Sequence, residues 1–242
     1  MLNQTQKPLI GIPTRINYND DSFYLRRYYA DAIYSAGGIP VYLPLIPEVD
    51  YIEAIANNLD GVVLSGNNSD VDPLRYGQGP HIKLGTVSDE RDETDLLLLQ
   101  VCELRKLPVL AICYGMQLLN VYRSGTLFQD LESQIDEVLK HQQEGSYTRV
   151  SHSIKIKEES LLAILAGGNT ARVNSHHHQG VDTLGKDLDP IAWSADGLVE
   201  AVINTRADQF ILGVQWHPEA GWEKDPLSQA LFKHFISRTM RR

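Results

Sequence analysis

Pro108-Val109-Leu110-Ala111-Ile112-Cys113-Tyr114-Gly115-Met116-Gln117-Leu118-Leu119-Asn120-Val121 decides how this chain is read. An apolar run of strand type ends at Cys113, Gly115 follows two residues later, and apolar residues at helical spacing begin at once. A strand, a sharp turn and a helix in that order lift a small nucleophile off the end of a sheet. The peptide N–H groups of the first helical turn then point at whatever it attacks. Taken alone, Cys113 is equally well a buried small hydrophobe, which is what most free cysteines are. The balance moves because a second stretch, Gly213-Val214-Gln215-Trp216-His217-Pro218-Glu219, supplies a base and a carboxylate.

His217 and Glu219 sit where a last strand runs out, and residues two apart on extended backbone project to the same side. A neutral imidazole takes the thiol proton, while a carboxylate accepting its other N–H fixes the tautomer and favours the imidazolium. An ordinary cysteine, with a pKa of about 8.5, is only a few per cent thiolate near neutrality, so the pairing matters for rate.

Composition narrows the classes of function. The 242 residues suffice for one large α/β domain, and a single domain over 1–242 is expected, with no linker or repeat to divide it. A formal net charge of -9 argues against a nucleic-acid footprint, which needs a clustered basic face. No apolar run approaches the length of a membrane span, and Met1 to Lys7 is polar, so a cytoplasmic protein with no membrane partner is expected. Cys102 and Cys113, the two cysteines, are neither a disulfide framework nor in metal-site spacing.

Working outward from the elbow, strands are expected at Leu9–Ile12, Ile39–Leu43 and Gly61–Leu64, and helices at Phe23–Ala36, Val49–Asn58 and Asp89–Lys106. That alternation means parallel βαβ units wound right-handedly. Cys102 falls in the apolar stripe of the last of these helices and reads as core. Ser65 to Pro73 is rich in residues that tolerate positive φ and leaves a strand at its carboxyl end, where open α/β sheets place ligands. Tyr76 to Ser88 lacks periodicity and reads as a flap, and Gly125 to Gly145 as a surface excursion. Further on, a strand at Val150–Lys157 and a helix at Glu158–Ala166 precede strands at Ile191–Ser194, Val199–Asn204 and Phe210–Trp216. Short turns between these last three predict antiparallel pairing, and a helix over 226–238 closes the chain.

The run Asn174-Ser175-His176-His177-His178-Gln179 concentrates histidine. Three consecutive histidines cannot all address one metal from regular structure, and no other ligand stands at a suitable spacing, so no metal is expected; the run reads as a substrate-contacting or packing turn. Glu200, in a turn that enters a strand, reads as structural.

With these motifs in place the chain resembles the class I glutamine amidotransferase-like proteins, and most closely the γ-glutamyl-γ-aminobutyrate hydrolases among the Cys-dependent γ-glutamyl hydrolases. The resemblance rests on seven stretches in order: Ser65–Pro73 with Tyr76-Gly77, Arg91-Asp92, Ile112–Val121, Gly125–Asp130, Asn174–Gln179, Asp196–Ala201 and Gly213–Glu219. It implies a flavodoxin-like three-layer α/β/α sandwich, mostly parallel at the centre with antiparallel additions in the C-terminal half. It further implies a Cys113, His217 and Glu219 triad that cleaves a small γ-glutamyl amide through a thioester without a cofactor. The N–H of Tyr114 with one from Gly66-Asn67 would make the oxyanion hole, and Gln117, His177, His178 and Gln179 would lie near the γ-glutamyl group.

Two departures stand out. Tyr114 occupies a position where many members have Arg, and Cys-Tyr-Gly-Met-Gln also resembles the amidotransferase part of GMP synthetases. Tyr122-Arg123-Ser124-Gly125 replaces a pattern of small residues, and Arg123 is expected to reach a carboxylate on the leaving group. The alternative readings are a glutamine amidotransferase that delivers ammonia to a partner synthetase and a catalytically silent binding protein; a homodimer is the one self-assembly left open.

Overall fold

The computed structural model describes residues 7–240. The chain opens with β1 (Leu9–Pro13), a hairpin of β2 (Arg15–Asn17) and β3 (Ser22–Tyr24), α1 (Tyr28–Ser35) and β4 (Ile39–Leu43). α2 (Val49–Ala56), β5 (Gly61–Leu64), α3 (Asp89–Arg105), β6 (Val109–Ile112) and α4 (Tyr114–Tyr122) continue the alternation. The second half runs β7 (Leu127–Phe128), α5 (Leu131–Gln134), β8 (His152–Ile156), α6 (Leu161–Ala166), β9 (Thr170–Val173) and β10 (Gly180–Val181). It ends with β11 (Leu188–Ser194), β12 (Val199–Asn204), β13 (Ile211–Val214) and α7 (Pro226–Thr239).

One nine-stranded sheet, ordered β4-β1-β5-β6-β13-β12-β11-β8-β9, organises these elements. Its first five strands are mutually parallel, and β12, β11, β8 and β9 add on antiparallel. Numbered by their own succession, the five parallel strands stand in the order 2-1-3-4-5, the doubly wound arrangement that leaves a crevice beyond their carboxyl ends. Buried strands facing helices on both sides read as continuous apolar runs, and β6 shows how they divide. Leu110 and Ile112 pack with Ile33 and with Phe232 and Phe235 of α7, whereas Val109 and Ala111 pack with Leu98, Leu99 and Met116 of α3 and α4. The result is an α/β/α sandwich with two separate apolar layers.

Helix ends follow local chemistry. Asp225 caps α7 by accepting the N–H groups of Leu227 and Ser228, with Pro226 as its first residue. Ser160 caps α6 through the N–H of Ala163, so that helix starts at Leu161 and not at Glu158.

Elsewhere, too, the structure departs from the sequence reading. The helix read from Phe23 begins only at Tyr28, because Phe23 and Tyr24 belong to β3 and pair with Arg15 and Ile16. Aromatic residues suit a pleated ladder, and here they imitated helical spacing. β9 was not legible, since Thr170-Ala171-Arg172-Val173 is a short edge strand with little apolar content. Gly125 to Gly145 is no mere surface excursion: Gln129, Asp130, Leu131, His141 and Gln143 are buried in it. Tyr76 to Ser88 stands behind the loop after β5, where Gly85 donates to Asp70 and the Asp70 N–H to Thr86.

Candidate active site

Cys113 is the single residue between β6 and α4, and its backbone adopts φ 53° and ψ -109°. A side chain in that region is strained by roughly 1–3 kcal/mol and persists only where its surroundings hold it. Here the Cys113 N–H donates to the Val214 carbonyl at 2.8 Å, and its carbonyl accepts the Gln117 N–H at 3.1 Å. The strand ladder and the first helical bond therefore pin both sides of the turn.

Gly115 lets this elbow close. A Cβ there would lie 2.5 Å from the Leu64 carbonyl oxygen and 2.7 Å from the Leu64 Cβ, which belong to the neighbouring strand. Gly115→Ala is therefore expected to destabilise the fold by about 1–3 kcal/mol, the usual cost of overpacking. Gly79→Ala, where an added Cβ meets nothing within 4 Å, is the neutral control. Thermal unfolding of the two variants beside wild type checks this, and equal midpoints would dispose of it.

His217 follows β13, the strand that pairs with β6. Asn174 clamps its backbone, accepting the His217 N–H at 2.8 Å and donating to its carbonyl at 2.8 Å. The Nδ1–H donates to Glu219 Oε1 at 2.7 Å, and the Tyr147 hydroxyl lies 2.9 Å from the same nitrogen. Cys113 stands beside the same ring, near enough to act on its charge. Gly66 makes room for this meeting, since a Cβ on it would stand 2.7 Å from His217 Cε1 and 3.4 Å from Cys113 Cβ. Burial opposes a charge on His217, but the hydrogen-bonded Glu219 carboxylate and the adjacent Cys113 outweigh it and push the imidazole up to about 9. His217 therefore carries its proton at neutral pH and is placed to act as an acid beside Cys113.

A cavity of about 240 Å³ opens beside Cys113, bordered by Asn67 to Asp70, Gln117, Gln142 and the turn from His176 to Gln179. The Gly66 N–H is taken by the Tyr29 hydroxyl at 3.0 Å, and its carbonyl accepts the Arg15 Nε–H at 2.6 Å. Among the described residues, none accepts the N–H of Asn67 or of Tyr114. Of the Gly66-Asn67 pair, Asn67 is therefore the one with an amide to offer.

The other expected contacts divide. Gln117 donates to the Gln179 carbonyl at 2.9 Å. The Gln179 amide is committed at both ends, accepting the Val71 N–H at 3.2 Å and donating to the Gln129 carbonyl at 3.4 Å, so it braces the cavity wall. His178 pairs with Asp70 at 2.8 Å, and that hydrogen bond raises its pKa. His177 directs its ring nitrogens at the Gln179 carbonyl and towards Glu200. Arg123 corrects the sequence reading: it pairs with Glu103 and Asp187, is buried, and does not border the cavity. Lying at the far end of α4, it is about 15 Å of helix from Cys113.

Of the other side chains here, Tyr147 had no sequence signal, and Arg91-Asp92 entered only as one of the stretches that carry the resemblance. Tyr147 comes from a stretch without periodicity, stacks on His176 with ring centroids 4.2 Å apart, and carries the Arg26 guanidinium 4.1 Å from its own centroid. Buried Arg91 pairs with Asp95 at 2.8 Å and donates to the Pro13 and Ser65 carbonyls at 3.1 and 3.0 Å, tying β1 to the loop after β5. Its neighbour Asp92 accepts the Tyr114 hydroxyl, which gives the tyrosine after the nucleophile a structural partner.

The sequence and the fold both match known proteins. Residues 8–219 match the Peptidase C26 family, and the chain belongs to it. It is 37% identical over 250 residues to the γ-glutamyl-γ-aminobutyrate hydrolase PuuD of Escherichia coli K12, covering 98% of this chain and 95% of that protein. A glutamine amidotransferase-like protein of Lactococcus lactis, YvdE, is 38% identical over 221 residues, covering 90% and 89%. Protein NtpR of Enterococcus hirae is 33% identical over 237 residues, covering 95% and 98%. The crystal structure of a GMP synthase subunit from Thermoplasma acidophilum superposes with a TM-score of 0.67 over 97% of this chain and 94% of that one. At 17% identity it speaks for the fold alone. Among the described residues no helix is long and apolar enough to cross a membrane.

Proposed function

We propose that the protein is a hydrolase of the γ-glutamyl amide bond in small γ-glutamyl amines, acting through a Cys113 thioester. The observation that carries this reading is Cys113 at a strained elbow, beside a His217 that Glu219 orients and next to a cavity fit for a small substrate. The thiolate attacks the γ-carbonyl carbon, and the N–H groups of Tyr114 and Asn67 receive the developing oxyanion. His217 gives its proton to the departing amine as the C–N bond breaks. Water then attacks the thioester with His217 as base, releasing glutamate and restoring the thiol. No step in this sequence calls for a cofactor.

Tyr76 to Ser88 and Arg123 do not border the cavity, so the leaving amine meets other residues of its lining, Gln142 and His176 among them. The deciding measurement is kcat/KM of the isolated chain for γ-glutamyl-γ-aminobutyrate, for γ-glutamyl amines without the distal carboxylate, and for glutamine. We expect γ-glutamyl amines to be preferred. A preference for glutamine, or activity only on adding a synthetase, would transfer the assignment to ammonia delivery, a reading the name of the Lactococcus relative keeps in view.

The raised pKa of His217 gives a prediction with a definite sign. Amine departure needs the imidazolium, which is present below about 9 and lost as pH rises through that value. The pH profile of kcat/KM should therefore have its descending limb near 9. Glu219→Gln removes one of the interactions that raise His217, so its limb should move to lower pH. A limb at the same pH in both proteins would rule out that electrostatic role.

A further inference from the structure

Behind the cavity wall lies a second cluster of titratable groups that the proposed chemistry does not use. His141 follows α5, His152 lies on β8, His177 follows β9 and Glu200 lies on β12, and all four converge in the interior. A carbonyl only accepts, so the 2.8 Å contact between His177 Nδ1 and the Gln179 carbonyl requires an Nδ1–H. A neutral imidazole carries one N–H, so this contact fixes the Nδ1–H tautomer. Its Nε2 is then a bare lone pair, buried without a hydrogen-bond partner, 3.9 Å from Glu200 Oε1.

His141 repeats the pattern. Its Nε2–H donates to Asp196 at 2.9 Å, which leaves the Nδ1 lone pair facing the same Glu200 oxygen at 3.5 Å, with the Ser175 hydroxyl at 3.4 Å. His152 Nε2 is 2.9 Å from that oxygen, and Glu200 Oε2 is buried with no partner. His152 Nε2 can satisfy Glu200 Oε1 by donating an N–H, but the His177 Nε2 and Glu200 Oε2 lone pairs stay buried with no donor, an arrangement that is costly unless a cation sits among them.

We infer that His141 Nδ1, His152 Nε2, His177 Nε2 and the Glu200 carboxylate form a binding site for a divalent transition-metal ion, with zinc the best match. The donor atoms of His141, His152 and Glu200 all lie within 4.8 Å of one another. In a tetrahedral site with bonds of about 2.0–2.1 Å, neighbouring ligand atoms are about 3.3 Å apart. The contacts of His152 and His141 with Glu200 Oε1, at 2.9 and 3.5 Å, bracket that value, and His177 Nε2, 3.9 Å from the same oxygen, would have to swing inward to join them. Three imidazoles and one carboxylate suit zinc, whereas calcium and magnesium demand more oxygen. The outer partners also fit: a carboxylate on His141 and a backbone carbonyl on His177 fix the tautomers that aim lone pairs inward. A cavity of about 340 Å³ bordered by His141 and His177 gives a route in. With four protein donors the ion would be structural, holding the turn from His177 to Gln179 against the catalytic cavity.

The test uses the full chain with Cys113→Ser, which removes the thiolate as a competing ligand. After chelator treatment and zinc addition, one equivalent should survive gel filtration and raise the thermal midpoint by several degrees. Cobalt in its place should give the visible absorption of four-coordinate nitrogen and oxygen ligation. His152→Ala and Glu200→Gln, each added to Cys113→Ser, should abolish retention; His152, at the edge of the cluster, serves if the glutamate variant fails to fold. No retained metal, or retention that neither substitution alters, overturns the site. Because no cluster residue takes part in the proposed acyl chemistry, turnover of γ-glutamyl amides would remain a separate question.

Discussion

Cys113→Ala is expected to abolish turnover of γ-glutamyl amides, a fall of at least about 10⁴-fold, because no other group can form the thioester. A γ-glutamyl electrophile should label the wild-type protein once, at Cys113. Cys102 cannot substitute for it: the residue is buried within α3, and burial together with Glu103 raises its thiol far above the usual range. Mass mapping of the adduct decides the matter, and modification of Cys102 or activity in the alanine variant would refute the nucleophile. The strained backbone adds a stability comparison. At φ 53° an alanine keeps the strain that glycine escapes, so Cys113→Gly should be more stable than Cys113→Ala by roughly 1 kcal/mol, the reverse of the order inside a helix. The same stability in both variants would mean that the turn relaxes once the sulfur is gone.

What was legible in the sequence has a physical pattern. The central parallel strands could be read because they are buried on both faces and so are apolar throughout, as in Val109 to Ile112 and Gly61 to Leu64. The elbow could be read because its strand, small residues and helix are contiguous. The pairing of His217 with Glu219 was accessible because a spacing of two puts both on one side. Contacts between distant segments were not accessible. His141, His152, His177 and Glu200 span sixty residues of irregular chain and strands, and no spacing announces them. Tyr147 reaches His217 from a loop with no periodicity, and the hairpin of β2 and β3 is too short to establish a period of its own. Arg123 misled for a related reason: a lone cation after an active-site helix suggests an anion site until Glu103 and Asp187 are seen to neutralise it.

Removing the base should separate the roles of His217 and Glu219. His217→Asn takes away both the proton acceptor for Cys113 and the donor for the leaving amine, and single-turnover acylation should slow by about 10³- to 10⁴-fold. Glu219→Gln should slow it less, by about 10- to 100-fold, since the ring loses a charge partner but keeps its place. Two observations support that ranking. Asn174 holds the His217 backbone at both its N–H and its carbonyl, and the Tyr147 hydroxyl stands 2.9 Å from the same Nδ1 that Glu219 occupies. Tyr147 is thus a second acceptor for Nδ1–H, able to preserve the tautomer that presents Nε2 to Cys113. Tyr147→Phe alone should then cost little while Glu219 remains, but in the Glu219→Gln background it should cost more than the two single effects together predict. Rapid-quench measurement of acyl-enzyme formation in the four proteins of that cycle gives the coupling directly. Additive losses would show that Tyr147 only covers the ring, and wild-type acylation in His217→Asn would place the base elsewhere.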